Sequence, residues 1–454
     1  MYELEDTIAA VATPPGMGGI GIVRVSGTQA FSMAQTLFKS KKVLETKRQV
    51  LLGWFQDPET GELLDEGLLL AMPRPNSFTA EDVVEFHVHG SPSLLKKLLS
   101  LLIKLGVRMA YPGEFTYRAF LNGRLDLTQA EAVESLISSQ GESFRRQALR
   151  QFTGGLSAHL EPMEENLKAL YLVIEARLEF SEEGLEKLDA EEYLNKVQSC
   201  SKALANLSKS YKQGKVVRDG LIIALVGPPN TGKSSLLNTL LGRPRAIVTP
   251  EPGTTRDVLE GEFWIKGVRI RLFDTAGIRA TNHPVELEGI RRSKDILGEA
   301  DLLFWLVDST YPEESLEVQM NEGLPKERTW TIFNKIDLDL DSKWKELTLK
   351  KDHAFAISCV TGEGLQTLTE SLESLIERSQ SGESILLTNE RHKKEVENAE
   401  GCLIRLQELV KRKESMELWS EELREALLAL GRIRGRNLNA AAFEEIFSKF
   451  CIGK

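Results

Sequence analysis

The alternation of apolar and polar positions divides the chain into three kinds of segment. Residues 1–120 contain short β-type runs separated by turns, such as GIGIVRVSG and EDVVEFHVHG. Apolar residues recur at helical spacing from about 121 to 217 and again from 379 to 454. Between 218 and 378, apolar runs of strand length alternate with helical patterns, which predicts a parallel sheet covered by helices. The pattern therefore predicts a multidomain α/β plus α+β protein, with an α/β domain inserted into a helical domain.

Two details of the helical segments lead to specific predictions. Thr128 and Glu131 have the spacing of a capping box and are predicted to open the first long helix. The last helix is predicted from an apolar stripe that comprises Phe443, Ile446, Phe447 and Phe450. Composition alone then predicts a frayed terminus over the final residues, SKFCIGK.

Composition and charge exclude several classes of protein. The 454 residues are 41% hydrophobic, and no apolar run approaches the roughly 18 residues that span a membrane. The first residues, MYELEDTIAA, lack a secretory signal, and the four cysteines form no C-x-x-C pair, so we expect a cytoplasmic protein without disulfides. The net charge of −10 argues against broad electrostatic coating of nucleic acid. Two local basic clusters are most simply explained as solvated helix faces: Arg145, Arg146 and Arg150, and Arg432, Arg434 and Arg436.

Two motifs in the β-rich segment have the form of binding sites but are not predicted to be such sites. Gly16, Gly18 and Gly21 match the dinucleotide fingerprint, yet the β-type run IVRVSG follows and offers no helix N-terminus to a pyrophosphate. His87 and His89 would lie on one face of a strand, where they could begin a metal site. No third ligand is placed nearby in the sequence, so we expect no metal there.

The stretch LIIALVGPPNTGKS, residues 221–234, carries the strongest chemical signal. Gly227, Gly232, Lys233 and Ser234 have the spacing of a phosphate loop. Glycines let backbone N–H groups turn toward a phosphate, while Lys233 adds a positive charge and Ser234 offers its hydroxyl to Mg²⁺. The helical pattern that follows directs its N-terminus at the same anion. This strand–loop–helix context predicts a nucleoside triphosphate site.

Two motifs between the phosphate loop and the next strands predict the rest of the Mg²⁺ and phosphate contacts. Asp274 ends the strand-like run RIRLFD and opens the motif DTAG. From there Asp274 can reach Mg²⁺ through water, and Gly277 can turn its N–H toward a γ-phosphate. A threonine of the intervening TTRD, Thr254 or Thr255, is predicted to complete the Mg²⁺ shell.

The motif NKxD predicts which base is bound. Asp337 can accept hydrogen bonds from N1–H and N2–H of guanine, a donor pair that adenine lacks. Asn334 suits the other edge of the base, and the stem of Lys335 can cover its face. Ser358 and Cys359 end the next strand, where a backbone N–H can reach guanine O6. Because the motifs occur in this order, they predict a guanine-nucleotide hydrolase.

Near the expected phosphates, Asn230 has two explanations, one catalytic and one structural. Ile278 follows DTAG, at the place where a glutamine could orient water. Asn230 lies within the phosphate loop, where its side-chain oxygen could hold a monovalent cation in place of an arginine finger. From residue type alone, a turn-forming asparagine in a Gly/Pro-rich loop explains Asn230 equally well.

Several stretches spread over the whole chain carry a resemblance to one known family. They are TPPGMGGIGIVRVSG, PNSFTAEDVVEFHVHG, PGEFTYRAFLNGRLDLTQAEAV, GPPNTGKSSLLN, EPGTTRD, DTAGIR and the terminal CIGK. Together they resemble the MnmE (TrmE) family of tRNA-modification GTPases, in register at both ends of the chain. The resemblance implies a tetrahydrofolate-binding N-terminal domain at 1–120, a helical domain at 121–217 and 379–454, and an inserted Ras-like P-loop GTPase domain at 218–378.

The resemblance also implies a function and partners. Family members are cytoplasmic homodimers that form a heterotetramer with an FAD-dependent flavoprotein, MnmG (GidA). They add an aminomethyl or carboxymethylaminomethyl group to C5 of the wobble uridine, position 34, of certain tRNAs. A tetrahydrofolate derivative, in its 5,10-methylene or 5-formyl form, supplies the one-carbon unit, and GTP hydrolysis with Mg²⁺ and K⁺ gates the assembly. The alternative from another class is a regulatory GTPase switch in ribosome assembly, with the helices as its effector surface.

The resemblance assigns roles to individual positions. The implied folate contacts are Arg24, Glu85, Arg124 and Lys454. The implied K⁺ ligands are Asn230, Thr249, Glu251 and Thr254, and the implied Mg²⁺ ligands are Ser234 and Thr255. The implied catalytic residues are Glu286, which orients water, and Cys451, a reactive thiol carried toward the folate site. The expected GTP-binding residues are Asn230, Thr231, Gly232, Lys233, Ser234, Ser235, Thr249, Thr254, Thr255, Asp274, Thr275, Ala276, Gly277, Asn334, Lys335, Asp337 and Ser358.

Overall fold

A computed structural model describes most of the chain. It covers residues 6–179, 189–242, 259–274, 297–310, 324–338, 348, 353–380 and 385–453. The chain forms two compact units. The first unit comprises Met1–Ser138, Ala148–Ala205 and Lys394–Lys454, and the second unit comprises Ser139–Gln147 and Asn206–Lys393. Among the helices described, none is both long enough and apolar enough to cross a bilayer.

The first unit is built on a seven-stranded sheet. Its strands are β1 (Ile8–Val11), β2 (Gly18–Ser26), β3 (Phe38–Lys39), β4 (Gln49–Gln56), β5 (Leu63–Met72), β6 (Val83–Gly90) and β7 (Arg108–Met109). The spatial order is β3-β4-β5-β6-β2-β1-β7, and every pair is antiparallel except the parallel pair β1–β7. Residues 50–55 of β4 alternate strictly between exposed and buried positions, as expected of a strand with one face on the core. Residues 22–26 of the run IVRVSG lie in β2, so the β-type conformation predicted after the three glycines is confirmed.

The β-rich segment also contains helices that the sequence interpretation missed. These are α1 (Ala30–Leu37), α2 (Pro92–Lys104) and α3 (Glu114–Leu121). The signal for α2 was present, because Pro92 stands in the first turn and Leu95, Leu98 and Leu102 recur at helical spacing on the buried face. The predicted short β runs over residues 1–120 are confirmed as strands, and these three helices are an addition to them.

The helical segments form α4 to α7 and a later group. Their bounds are α4 (Leu127–Ser138), α5 (Glu142–Phe152), α6 (Gly155–Glu179), α7 (Ala190–Asp219), α10 (Glu390–Arg412), α11 (Met416–Ile433) and α12 (Ala440–Phe447). In the first unit, α6 packs against α11. The apolar stripe predicted for the last helix is confirmed, because Phe447 and Phe450 are buried in a cluster that Phe443 and Ile446 border.

The capping box predicted at Thr128 is wrong by two residues. Asp126 caps α4, since its Oδ1 accepts a hydrogen bond from Gln129 N at 2.9 Å. Gln129 Oε1 in turn accepts from Asp126 N at 3.0 Å, which completes the reciprocal pair. Thr128 Oγ1 donates to Asp126 Oδ1 at 2.7 Å instead of capping the helix. Aspartate ranks among the best N-cap residues, which explains the earlier start.

The second unit contains a six-stranded sheet. Its strands are β8 (Leu221–Val226), β9 (Leu259–Ile265), β10 (Val268–Asp274), β11 (Leu302–Asp308), β12 (Thr329–Asn334) and β13 (Ala354–Ala356), and its helices include α8 (Lys233–Leu241) and α9 (Leu365–Gln380). The order is β13-β12-β11-β8-β10-β9. All pairs are parallel except β9–β10, a hairpin whose turn residues Lys266 and Gly267 both have positive φ. The predicted parallel sheet thus carries one antiparallel edge strand.

Candidate functional site

The phosphate loop joins β8 to α8 and is shaped by two glycines. Gly227 has φ of +145°, and a Cβ there would lie 2.3 Å from Leu306 O. Gly232 has φ of +94° and is the N-cap of α8, and a Cβ there would lie 2.2 Å from Asn334 Nδ2. A side chain at either position would meet both strain and a clash. The loop therefore requires glycine at both places, as a phosphate-binding backbone does.

Lys233 and Ser234 are the first two residues of α8, directly after this loop. The buried Lys233 Nζ donates to Gly227 O at 2.8 Å and to Pro228 O at 2.6 Å, so it holds the loop closed on itself. Burial lowers the pKa of Lys233, although the charge of Asp274 opposes this shift. Ser234 Oγ donates to Asp274 Oδ2 at 2.7 Å. A hydroxyl and a carboxylate in contact are oxygen donors of the kind that Mg²⁺ takes, so this pair fits the predicted metal position.

The expected guanine residues Asn334 and Lys335 lie at the end of β12, next to the end of β11. Asn334 Nδ2 donates to Thr231 O at 2.8 Å, which ties the base end of the site to the phosphate loop. Asn334 Oδ1 is buried and accepts no hydrogen bond within the described part of the chain. Lys335 has φ of +66°, and its Nζ lies 2.6 Å from Asp308 Oδ2. A buried carbonyl oxygen without a donor fits a site that receives a polar ligand.

Asp308 was not among the predicted residues, although it ends an apolar strand next to the phosphate loop. Its side chain is almost buried and accepts from Thr310 N and Oγ1 as well as from Lys335. Burial alone would raise the pKa of Asp308, but the hydrogen bonds from Lys335 and Thr310 outweigh it and hold the pKa below the usual range. Asp308 is therefore an ionised partner for Lys335.

The remaining guanine residues lie near this end of the sheet. Ser358 is fully buried, and its Oγ accepts from Val360 N at 3.2 Å and from Thr361 N at 3.1 Å. This local turn fixes the backbone that was predicted to face guanine O6. Burial raises the pKa of the neighbouring Cys359 thiol to about 11, so the thiol is neutral at physiological pH. Asp337 is exposed.

Other predicted GTP residues are placed only in part. Asn230 is exposed with φ of +65°, while Thr231 is buried and Thr231 Oγ1 donates to Pro228 O at 3.0 Å. Ser235 is exposed in the first turn of α8. The predictions for Thr249, Glu251, Thr254, Thr255, Thr275, Ala276, Gly277 and Glu286 lie outside the described residues.

A second cluster of predicted residues meets on the sheet of the first unit. The register of β2 and β6 places Arg24 opposite Glu85, and Arg24 Nε donates to Glu85 Oε1 at 2.8 Å. Glu85 Oε2 lies 3.0 Å from His87 Nε2. Burial would raise the pKa of Glu85, but the hydrogen bond from His87 and the charge of Arg24 outweigh it, so the pKa lies below its usual value. The cluster thus pairs a fixed carboxylate with a guanidinium.

The C-terminal tail lies against this cluster. Arg24 Nη1 donates to Gly453 O at 3.3 Å, and Gly113 N donates to Cys451 O at 3.4 Å. Gly453 has φ of +94°, and a Cβ there would lie 2.4 Å from Val11 O. The frayed terminus predicted from composition is therefore wrong as far as residue 453, because the backbone is fixed by these contacts. Cys451 is exposed, and Lys454 lies outside the described residues.

Arg124 reaches the same region through an aromatic residue. Its Nη1 donates to Phe78 O at 2.6 Å, and its Cζ lies 5.0 Å from the Phe78 ring centroid. The Cζ of Arg24 lies 5.3 Å from the same centroid. Phe78 belongs to the stretch PNSFT, which carries part of the family resemblance, but the sequence alone indicated no role for it. The structure brings Arg24 next to Glu85, and Phe78 contacts both Arg24 and Arg124.

Members of the basic clusters and of the histidine pair contact carboxylates. Arg145 and Arg146 both pair with Glu142, and the cluster at 432–436 pairs with Glu395 and Glu164. The exposed Arg145 and Arg146 agree with the predicted solvated helix face, whereas the second cluster departs from it, because Arg434 is largely buried and pairs with the buried Glu164. His89 pairs with an aspartate of β5, and no group of three metal-binding side chains occurs among the described residues.

Comparison with known proteins covers the full length of the chain. Residues 7–124 match the family model described as "GTP-binding protein TrmE N-terminus", and residues 127–451 match the one described as "MnmE helical domain". The chain belongs to the MnmE (TrmE) family. Proteins named tRNA modification GTPase MnmE are 40% identical in Aquifex aeolicus (99% of this chain, 100% of the relative) and 40% identical in Thermus thermophilus (100% of both). The relative from Acetivibrio thermocellus is 38% identical over 100% of both chains.

Membership of the MnmE family confirms the predicted fold class and class of enzyme. The chain combines a TrmE N-terminal domain, a helical domain and a P-loop GTPase domain, and it is a GTP hydrolase of a tRNA-modification family. The exact domain limits, the roles of the site residues and the chemistry beyond GTP remain predictions.

Proposed function

We propose that this GTP hydrolase acts in modification of the wobble uridine, position 34, of certain tRNAs. In this proposal a homodimer works in the cytoplasm with an FAD-dependent MnmG (GidA) type partner in a heterotetramer. An aminomethyl or carboxymethylaminomethyl group is added at C5 of the uridine, and a tetrahydrofolate derivative supplies the one-carbon unit. GTP hydrolysis by the second unit gates the assembly and thereby controls the folate-dependent chemistry of the first unit.

The observation that carries this proposal is the cluster of Arg24, Glu85 and the tail carbonyl of Gly453. Arg24 Nε and Nη1 donate to Glu85 and to Gly453 respectively, and the Glu85 carboxylate is ionised and mostly buried. A fixed carboxylate can accept hydrogen bonds from the amino and ring N–H groups of a pterin, while the arginines suit its carbonyl and the glutamyl carboxylates. A GTPase that acts only as a switch has no need of such a cluster beside its C-terminal tail.

The test is nucleoside analysis of tRNA from cells that lack this protein. We expect the modified wobble uridine to disappear and to return with the parent protein but not with Glu85→Gln. Titration of the purified protein with 5-formyltetrahydrofolate is the companion measurement. Unchanged tRNA nucleosides and no folate binding would favour the ribosome-assembly switch instead.

Potassium dependence of GTP hydrolysis is proposed from Asn230. Its positive φ of +65° also suits a turn-forming asparagine, so two variants are needed to separate the explanations. Asn230→Gly keeps the left-handed backbone and removes the carbonyl, whereas Asn230→Asp keeps an oxygen. If Asn230 holds a cation with Thr249, Glu251 and Thr254, turnover is faster in KCl than in NaCl at equal ionic strength, and Asn230→Gly loses this difference. A potassium effect that survives in Asn230→Gly assigns Asn230 to the turn.

Two further residues complete the proposal. Glu286 is proposed to orient the attacking water, so Glu286→Ala should slow turnover by roughly 10²-fold with little change in GTP affinity. A collapse of affinity would make Glu286 structural. Cys451, which is exposed beside the folate cluster, is proposed as a reactive thiol. Cys451→Ser should keep folate affinity and lose tRNA modification, and full modification by this variant would remove the thiol from the mechanism.

A further inference from the structure

We call the group of Arg24, Phe78, Glu85, Arg124 and Gly453 the arginine cluster. Its Phe78 lies in the segment at residues 77–81, which hydrogen bonds hold from two parts of the chain. Ser26 of β2 lies 2.7 Å from both Thr79 Oγ1 and Glu81 Oε2, measured from its Oγ. Asn122, at the end of α3, donates from Nδ2 to Thr79 O at 2.8 Å. The segment is therefore fixed to the strand that carries Arg24 and to the turn that precedes Arg124.

Phe78 is the residue that this anchored segment presents to both arginines. Its ring centroid is 5.3 Å from Arg24 Cζ and 5.0 Å from Arg124 Cζ, and its carbonyl accepts from Arg124 Nη1 at 2.6 Å. Phe115 also lies near Arg24, with its centroid 5.6 Å from Cζ. Phe78 is thus the aromatic residue that the two guanidinium groups share.

An aromatic ring has a physical role between two like charges. Two guanidinium groups close together repel each other, and the Glu85 carboxylate pairs with Arg24 and with His87. The negative face of an aromatic ring attracts a cation, and the attraction is stronger where the contact is desolvated. An aliphatic side chain of similar volume would fill the same space without this attraction. The ring therefore favours both arginines remaining in the cluster.

We propose that Phe78 is a positioning residue of the N-terminal site, whose aromatic face holds Arg24 and Arg124 in the arrangement that a folate derivative binds. This inference rests on the proposed folate function. Phe78 acts through the two arginines, which supply the hydrogen bonds to the ligand's carboxylate and carbonyl oxygens.

The test compares a variant that keeps the aromatic face with one that keeps only the apolar volume. The full-length parent, Phe78→Tyr and Phe78→Leu are titrated with 5-formyltetrahydrofolate by calorimetry. We expect Phe78→Leu to bind about threefold to thirtyfold more weakly and Phe78→Tyr to stay within about twofold of the parent. Phe31→Leu is the matched control, because Phe31 is a half-buried phenylalanine that packs on the core of the same unit.

The outcomes separate positioning from general packing. Phe31→Leu should bind as the parent does, and GTP turnover should be the same in all four proteins. Parent-like binding by Phe78→Leu overturns the inference, and so does an equal loss in Phe78→Tyr, since the aromatic face would then be irrelevant.

A second readout needs no ligand and keeps the two proposals distinct. Arg24 is labelled with phenylglyoxal in the free protein, and the rate is followed by mass spectrometry of its peptide. We expect labelling about threefold or more faster in Phe78→Leu than in Phe78→Tyr, because the guanidinium loses its ring contact. If the parent binds no folate, the proposed function fails, and equal labelling rates then overturn the positioning role of Phe78 independently.

Discussion

The phosphate loop of the second unit and the arginine cluster of the first are built in opposite ways. The phosphate loop lies within one continuous stretch, residues 221–234, in which the backbone conformation at Gly227 and Gly232 creates the site. The arginine cluster is made by side chains and one carbonyl from separate places in the chain: Arg24, Phe78, Glu85, Arg124 and Gly453. The first kind of site depends on local geometry, and the second depends on the folding of a whole unit.

This difference determines how each site responds to change. In the phosphate loop, a substitution acts directly on the groups that face the nucleotide, and we expect losses of orders of magnitude. In the arginine cluster, each residue adds one hydrogen bond or ring contact, and we expect losses of about tenfold from any one of them. Four predictions follow this contrast from the larger effect to the smaller.

Lys233→Met should reduce GTP turnover by about 10²-fold or more, because the ammonium both holds the loop carbonyls and supplies charge to the phosphates. The measurement is GTP hydrolysis at saturating nucleotide, together with binding of a fluorescent GTP analogue. Affinity for 5-formyltetrahydrofolate serves as the control and should not change. Turnover within a few-fold of the parent would remove Lys233 from the catalytic machinery.

Gly453→Ala should weaken folate binding by about tenfold while leaving GTP turnover intact. The new Cβ would lie 2.4 Å from Val11 O at a φ of +94°, so the tail carbonyl must move away from Arg24. Gly106→Ala is the matched control, since Gly106 has φ of +92° in the same unit and no atom within 4 Å of its added Cβ. Equal losses in the two variants would show that general strain, rather than the tail contact, weakens binding.

Asp308→Asn should weaken GDP binding by roughly threefold to tenfold, because Lys335 loses its ionised partner at the base end of the site. The change keeps the size of the side chain, so a fluorescent-GDP titration reports mainly on charge. Asp301→Asn is the control, because Asp301 accepts from Ile222 N at the other end of β8. Unchanged GDP affinity in Asp308→Asn would mean that Lys335 is positioned without its partner.

The smallest expected effect is a loss of stability in acid at the arginine cluster. The pKa of Glu85 is lowered in the folded protein, so the unfolded chain binds the proton more readily. The stabilisation is complete above the ordinary carboxyl pKa of about 4 and is lost as pH falls through the lower folded value. Hydrogen exchange of β2 and β6 amides between about pH 5 and pH 3 should show this loss, and Glu85→Gln should lessen it. Identical pH dependence in parent and variant would contradict the prediction.

The sequence alone could predict the residues of the local phosphate loop, but not those of the cluster that the fold assembles. The phosphate loop, Asp274 and the residues of NKxD were found because each motif is short and local, and its chemistry dictates its spacing. The Arg24–Glu85 pair came only from the family resemblance, since no spacing rule joins a residue of β2 to one of β6. Phe78 and Asp308 were missed because their roles depend on neighbours brought by the fold. The helix start was placed two residues too late because the capping-box rule was applied to Thr128, whereas Asp126 and Gln129 form the reciprocal pair.

The hydrogen bond between Arg24 and Gly453 joins residues 429 positions apart in the chain. During synthesis the N-terminal sheet emerges long before this partner exists, and N-terminal segments generally fold first. The contact between Arg24 and Gly453 can therefore form only after the chain has been synthesised through residue 453, when both units have been translated. Chains truncated before residue 453 would retain a foldable sheet and an intact phosphate loop, yet lack the last contact of the cluster. The last contact of the arginine cluster thus forms after the phosphate loop has been synthesised, although its first arginine is made before either.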